Sequence, residues 1–310
     1  MSARAITALI ILAACAGGEA TTPPGRARRA RARLQVRALR EAGHRETEAA
    51  DYAEAESDLR QALALSESAL GPNDLETART LNDLGMFAKY TARFDEGAAD
   101  YARALNIAAG PSGDLLLVAD LYHNLGGLEH ARGRFAPGEP FARHGLAIRM
   151  RELGPDHPDV AADRAALAAL LDGQGRLEEA EALYQDAIKV LDRVRGPPPL
   201  ELAVSFNNLA AIRTAQGRLA EAETLYRRAL ALKETRLGPH HPDVATTLNN
   251  LALLCKKDRR LPEAAALYAR ALDIFTRALG PDHPKTRTCR VNNARLLAAM
   301  EPSSKLQEKR

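Results

Sequence analysis

The sequence predicts an all-α solenoid of antiparallel helix pairs with a 42-residue repeat. Three observations predict it. First, the segments starting at Gly175 (GRLEEAEALYQDAIKVLDRVRG), Gly217 (GRLAEAETLYRRALALKETRLG) and Arg259 (RRLPEAAALYARALDIFTRALG) are copies of one another, 42 residues apart. Second, apolar residues recur at steps of three and four within each copy, which is one helical stripe. Third, Gly-Pro-x-His-Pro punctuates the copies at Gly154–Pro158, Gly238–Pro242 and Gly280–Pro284. There Gly ends one helix, the first Pro forbids its continuation, and the second Pro suits the first turn of the next.

Composition agrees with such an array. Of 310 residues, 46% are hydrophobic but only 4% are aromatic, and Trp is absent, so Leu/Ala packing is expected in the core. The formal charge of +3 makes no case for nucleic acid. Seven arginines fall between Arg26 and Arg40, which leaves the remainder mildly acidic. The three cysteines, Cys15, Cys255 and Cys289, do not form a disulfide framework.

Residues 1–14 read as a signal peptide. Arg4 is a short basic start, and Ala5 to Leu12 is an apolar run too short to span a bilayer, which takes about 20 residues. Leu12-Ala13-Ala14-Cys15 resembles the lipobox of bacterial lipoproteins. That resemblance implies cleavage before Cys15, its acylation, and attachment at the cell envelope, on the periplasmic face or the surface. Ala16 in place of Asp implies outer-membrane sorting by the same resemblance. Alternatively the segment is an ordinary signal peptide in which Cys15 is incidental, or the N-terminus is mis-annotated and the chain is a cytosolic adaptor or regulatory protein. Residues 15–32 form the tether and a basic segment. The arginines lie there within reach of anionic head groups, or else they form a solvated helix face capping the array.

Six helix pairs are expected over 33–283. The second helices align Tyr52, Phe94, Phe135, Leu177, Leu219 and Leu261, and seven residues on Leu59, Tyr101, Ala142, Tyr184, Tyr226 and Tyr268. The first helices align Leu84, Leu125, Leu167, Leu209 and Leu251, each followed by Gly or Ala. Large residues beside small ones at fixed steps let helices interlock. Gly133, Gly175 and Gly217 turn the chain within pairs. In the third second helix, Pro140 removes a backbone donor, which predicts distortion over 133–148. A lone capping helix is expected at 284–300, where Asn293 replaces the core Leu, and a disordered tail at 301–310.

The pattern LNNLAxL…GRxxEAExLYxRALxI…LGPxHPxV resembles the tetratricopeptide repeats of kinesin light chains. The long heptad coiled coil of those proteins is missing, so their motor-adaptor role does not carry over. The resemblance implies a concave groove lined by the first helices. It implies that Asn82, Asn124, Asn207, Asn208, Asn249, Asn250 and Asn292 grip the backbone of an extended peptide there, as donors and acceptors. The alternative is that these amides cap turns or bond between neighbouring helices. Ala165 and Ala166 interrupt the ladder.

His157, His241 and His283 have neighbouring Asp residues, but they lie one or two units apart in turns that recur with the repeat, which reads as a helix-start device and not a metal site. No phosphate loop, nucleophile elbow or paired CxxC occurs, and the carboxylates recur in a surface Glu-Ala-Glu pattern. The expectation is a non-catalytic scaffold without cofactor, metal or small-molecule substrate. It binds other proteins or peptides and is anchored to a membrane by lipid at Cys15. Nucleic acid is not the expected partner of an exported chain; in the cytosolic alternative the arginine segment would contact nucleic acid or an acidic partner.

Overall fold

Helix-forming stretches rich in Ala, Leu, Glu and Arg alternate with short Gly/Pro turns, and the computed structural model follows them. It describes residues 24–300, apart from 50 and 112. The expected signal peptide, Cys15, most of the tether and the 301–310 tail lie outside the described residues. Among the described residues there are only helices: α1 (Pro24–Glu48), α2 (Tyr52–Ala69), α3 (Leu75–Tyr90), α4 (Phe94–Ala108), α5 (Leu115–Ala131), α6 (Phe135–Leu153), α7 (Pro158–Gly173), α8 (Leu177–Leu191), α9 (Leu200–Ala215), α10 (Leu219–Leu237), α11 (Pro242–Lys257), α12 (Leu261–Leu279) and α13 (Pro284–Met300). None is long and apolar enough to cross a membrane.

The helices pair in order and divide into two units, one ending at Gly113 and one beginning at Asp114. The first unit holds α1/α2 and α3/α4; the second holds four pairs, α5/α6 to α11/α12, and the lone α13. The arginine segment is therefore the first helix of the first pair. It starts at Pro24, inside the stretch expected as tether. Four of its arginines face carboxylates of α3: Arg29 and Arg33 pair with Asp74, Arg37 with Glu76, and Arg40 with Glu76 and Asp83. Glu76 and Asp83 are buried, so these pairs belong to the packing between α1 and α3.

Small residues opposite large ones explain the close helix approach. A methyl group on Gly85 would sit 2.5 Å from the Tyr101 ring. Tyr101, Tyr184 and Tyr268 are fully buried, so the few aromatics occupy pair centres that a Leu/Ala core was expected to fill. The turns follow the glycines: Gly133, Gly175 and Gly217 have φ of 72°, 77° and 79°. In the second and sixth pairs Ala92 (φ 58°) and Arg259 (φ 63°) adopt the same left-handed conformation, in which a side chain is strained.

Helix starts are capped by side chains. Nδ1 of His157, His241 and His283 accepts the backbone N–H two residues on, at 3.1, 3.1 and 3.2 Å. Asp74 and Asp114 cap α3 and α5, accepting the backbone N–H of Glu76 and of Leu117. The recurring histidines are thus N-caps, and Pro158 and Pro242 open their helices. Pro140 does not interrupt its helix: α6 runs unbroken from Phe135 to Leu153. Pro140 lies in its second turn and costs one backbone bond, and packing of α6 on α5 and α7 holds the helix.

A Glu–Arg clip ties four of the second helices, α2, α6, α8 and α10, to the turn within the following pair: Glu56 to Arg93, Glu139 to Arg176, Glu181 to Arg218, and Glu223 to Arg260. Such half-exposed pairs contribute at most about 1 kcal/mol each, so they fix register more than stability. Arg134 pairs with Glu129 inside its own pair.

Candidate functional site

In the second unit the first helices of successive pairs, α5, α7, α9 and α11, touch one another, while no two second helices are in comparable contact. A stack in which one layer is closer than the other curves toward that layer. The first helices therefore form the inner face of this unit. They pack against their partners with the Leu and Ala stripe, so the residues left exposed on them face inward.

An amide chain crosses this face. The Asn208 side chain donates to the Tyr184 hydroxyl at 3.1 Å, Asn207 donates to Asn208 Oδ1 at 3.1 Å, Asn250 donates to Asn207 Oδ1 at 3.3 Å, and Asn249 donates to Asn250 Oδ1 at 3.4 Å. The chain begins on α8, runs through α9 and ends on α11, every bond pointing the same way. Its last acceptor, Asn249 Oδ1, is buried without a partner. Asn207 is 8% exposed, which makes it a strut between helices, whereas Asn208, Asn249 and Asn250 are half-buried at the surface. Four of the seven predicted asparagines are thus brought together. Asn124 on α5 and Asn292 on α13 lie half-buried on first helices of the same unit, separated from the chain by Ala165 and Ala166 in one direction. Asn82 lies in the first unit, where its amide contacts Met86 Sδ at 3.9 Å.

Two large apolar side chains flank the amides, Val204 on α9 and Leu253 on α11, both exposed. Beyond them, Thr246, Asn249, Phe275, Pro284, Lys285 and Thr288 line a cleft of about 240 Å³ between α11 and α13. This arrangement offers hydrogen-bond donors and acceptors beside apolar surface, which is what a peptide backbone with side chains requires.

Charge enters from below. Arg149 reaches up from α6, donating to Asp120 on α5 and to Asp163 on α7, both at 2.8 Å; His123 Nδ1 lies 2.7 Å from the other Asp163 oxygen. Burial works against the Arg149 charge, but the two aspartates hold its pKa above the usual range. Burial likewise raises the Asp120 pKa, with Arg149 opposing. Lys233 reaches up from α10 in the same way, and burial pushes its ammonium pKa down. The sequence reading missed these groups. Their signal was a basic residue in an apolar stripe at the same place of two repeats.

The other candidates take structural roles. Cys255 and Cys289 are free and buried, and burial pushes both thiols up to about 11. Among the described residues no cluster of His, Cys, Asp or Glu could hold a metal ion.

Comparison with solved structures gives the same architecture. BtubC (BKLC) from P. vanneervenii shares 19% identity over 90% of this chain and 93% of its own, with a TM-score of 0.52. The apo form of the quorum sensor NprR from B. thuringiensis shares 16% over 88% of this chain and 73% of its own, at a TM-score of 0.66. A putative kinesin light chain of Podospora anserina with nearly identical TPR-like repeats shares 20% over 66% of this chain and 96% of its own, at 0.53. At these identities the likeness concerns the fold alone. No curated protein sequence matches the chain. The tetratricopeptide repeat pattern matches residues 34–110, 117–193, 201–274 and 243–302. Members of this family are generally non-catalytic and bind other proteins or peptides. With that pattern spanning most of its length, and with paired helices stacked on a 42-residue period, this chain belongs to the tetratricopeptide-repeat family.

Proposed function

We propose that the protein is a non-catalytic scaffold that binds an extended segment of a partner protein on the inner face of its second unit, and that it is held at a bacterial cell envelope by lipid on Cys15. The observation that carries the binding half is the amide chain from Tyr184 to Asn249 flanked by exposed Val204 and Leu253. Asn208, Asn249 and Asn250 each have surface beside an apolar side chain, so they are placed to exchange hydrogen bonds with a peptide backbone while Val204 and Leu253 take its side chains. Substituting Asn208, Asn249 and Asn250 together by Ala tests this. Binding of a degenerate octapeptide pool should fall at least about tenfold while the helical melt remains cooperative, since loss of two or three backbone hydrogen bonds is worth that much. Unchanged binding would remove the inner face from the reading.

The anchoring half rests on the lipobox-like Leu12-Ala13-Ala14-Cys15 behind a short apolar run. Mass spectrometry of the protein from membrane fractions tests it. The expected N-terminus is acylated Cys15, and a Cys15→Ser chain should leave the membrane. An unprocessed chain in the soluble fraction would refute anchoring and favour a cytosolic adaptor, leaving the binding half intact.

A further inference from the structure

α13 is a first helix that has lost the face for a second. It rests on α12 through Thr286, Cys289 and Leu296, with Thr286 Oγ1 and Cys289 Sγ donating to the Phe275 and Tyr268 carbonyls. On α11, which packs on its own second helix α12, Ala245, Leu248 and Ala252 are buried. One repeat on, those positions are Arg287, Arg290 and Ala294, all exposed. Nor do the residues after Met300 carry the second-helix stripe: Ser303 and Arg310 stand 42 positions after Leu261 and Tyr268. The arginines unfit this face for another copy of the repeat, yet it is not polar throughout. Val291 and Leu297, 46% and 47% exposed, lie three residues to either side of Ala294, with exposed Ala298 one turn beyond it.

This stripe is complementary to itself. In an antiparallel pair of α13 helices centred on Ala294, residues equally far to either side of it face each other. Val291 of each copy then meets Leu297 of the other, and the two Ala294 methyls let the helices approach closely. Charge selects the same arrangement. Arg287 lies seven residues before Ala294 and Glu301 seven after it, so each arginine meets the other copy's carboxylate, whereas parallel helices would set Arg287 against Arg287. Arg290 is turned away onto the Pro281 carbonyl at 3.1 Å. Stacking α13 on α1 of another copy would bring Arg287 toward Arg28 and Arg31, which are exposed beside Leu34. We propose that α13 is a dimerisation helix, pairing antiparallel with α13 of a second copy about a two-fold axis at Ala294. The pairing does not depend on peptide binding, and it joins two inner faces in one particle.

Equilibrium sedimentation tests this on the full chain carrying Cys15→Ser, so that acylation cannot drive association. One helix ridge buries less than the roughly 1,600 Å² of a standard interface, so half of the chain should be paired at on the order of 10 μM. The average mass should rise with concentration toward twice that of the monomer and go no further. Ala294→Glu sets two carboxylates together on the axis and should leave only monomer, with an unchanged melting temperature because Ala294 is exposed. Arg287→Glu should weaken the dimer about tenfold, since two ion pairs become two repulsions, and adding Glu301→Arg should restore it. A chain that stays monomeric to about 200 μM would overturn the proposal, being more than tenfold above the expected midpoint. So would growth beyond the dimer, a dimer indifferent to Ala294→Glu, or a charge exchange that recovers nothing.

Discussion

Asn250 on α11 donates its side-chain amide to Asn207 on α9 at 3.3 Å, across the gap between two first helices. That bond joins successive repeats on their inner face, and it sets the directional chain in which Asn208 and Asn249 are half-buried links.

Removing the link should be felt unevenly. Asn250→Ala strips the buried Asn207 Oδ1 of its donor, and denaturant unfolding should show a loss of about 1–2 kcal/mol. Asn249→Ala deletes an acceptor that already has no partner, together with one long hydrogen bond. Its cost should stay within about 0.5 kcal/mol. Equal losses would mean that the chain does not act as a directional strut.

Two helical glycines should respond in opposite directions to a methyl group. Gly85→Ala pushes Cβ to 2.5 Å from the Tyr101 ring, so the first unit should lose about 1–3 kcal/mol through overpacking. Gly127→Ala, within α5, meets nothing within 4 Å. Thermal melts should show a gain there of up to about 1 kcal/mol from helix propensity.

The turns carry a similar contrast. Gly238 has φ 87° and ψ 155°, a region closed to side chains, and Gly238→Ala should cost about 1–3 kcal/mol. Ala92 sits at φ 58°, where relief of strain narrowly exceeds the added chain entropy of glycine. Ala92→Gly should therefore stabilise by about 0.5 kcal/mol in urea unfolding.

Two carboxyls give opposite pH responses. Burial would raise the Glu139 pKa, but Gln174, Arg143 and Arg176 bring it down to about 2. The unfolded chain therefore binds the proton more readily, and the Glu139 contribution, complete above about pH 4.5, is lost as pH falls toward 2. Burial, helped by Glu96, raises Asp100 to about 6, so the folded chain holds that proton longer and stability falls as pH rises from about 4 to 6. Glu139→Gln should flatten the acid limb, and Asp100→Asn should remove the loss near neutrality. Unfolding midpoints measured between pH 2 and 7 check both.

Much of the fold was legible because each repeat writes it again. The period, the Leu–Ala stripes, the αL glycines and the His-Pro caps are local and recur, so one copy corrects another. What was not legible depended on neighbours. Arg29, Arg33, Arg37 and Arg40 read as surface charge until α3 brings Asp74, Glu76 and Asp83 against them. Pro140 reads as a break until the packing of α6 outweighs one missing bond. The asparagines were found by residue type, but buried Asn207 and surface Asn208 differ only in helical phase by one residue. Lys233 was missed because its burial and its bond to Thr247 arise only when α10 packs on α11.

The inner-face account is tested most directly by placing a photocrosslinker, benzoylphenylalanine, at two exposed sites of the same unit: Val204 on α9 and Ala182 on α8. Irradiation with the retained octapeptides should give adducts at position 204 and none at 182. Adducts at 182 alone, or at both sites equally, would contradict it.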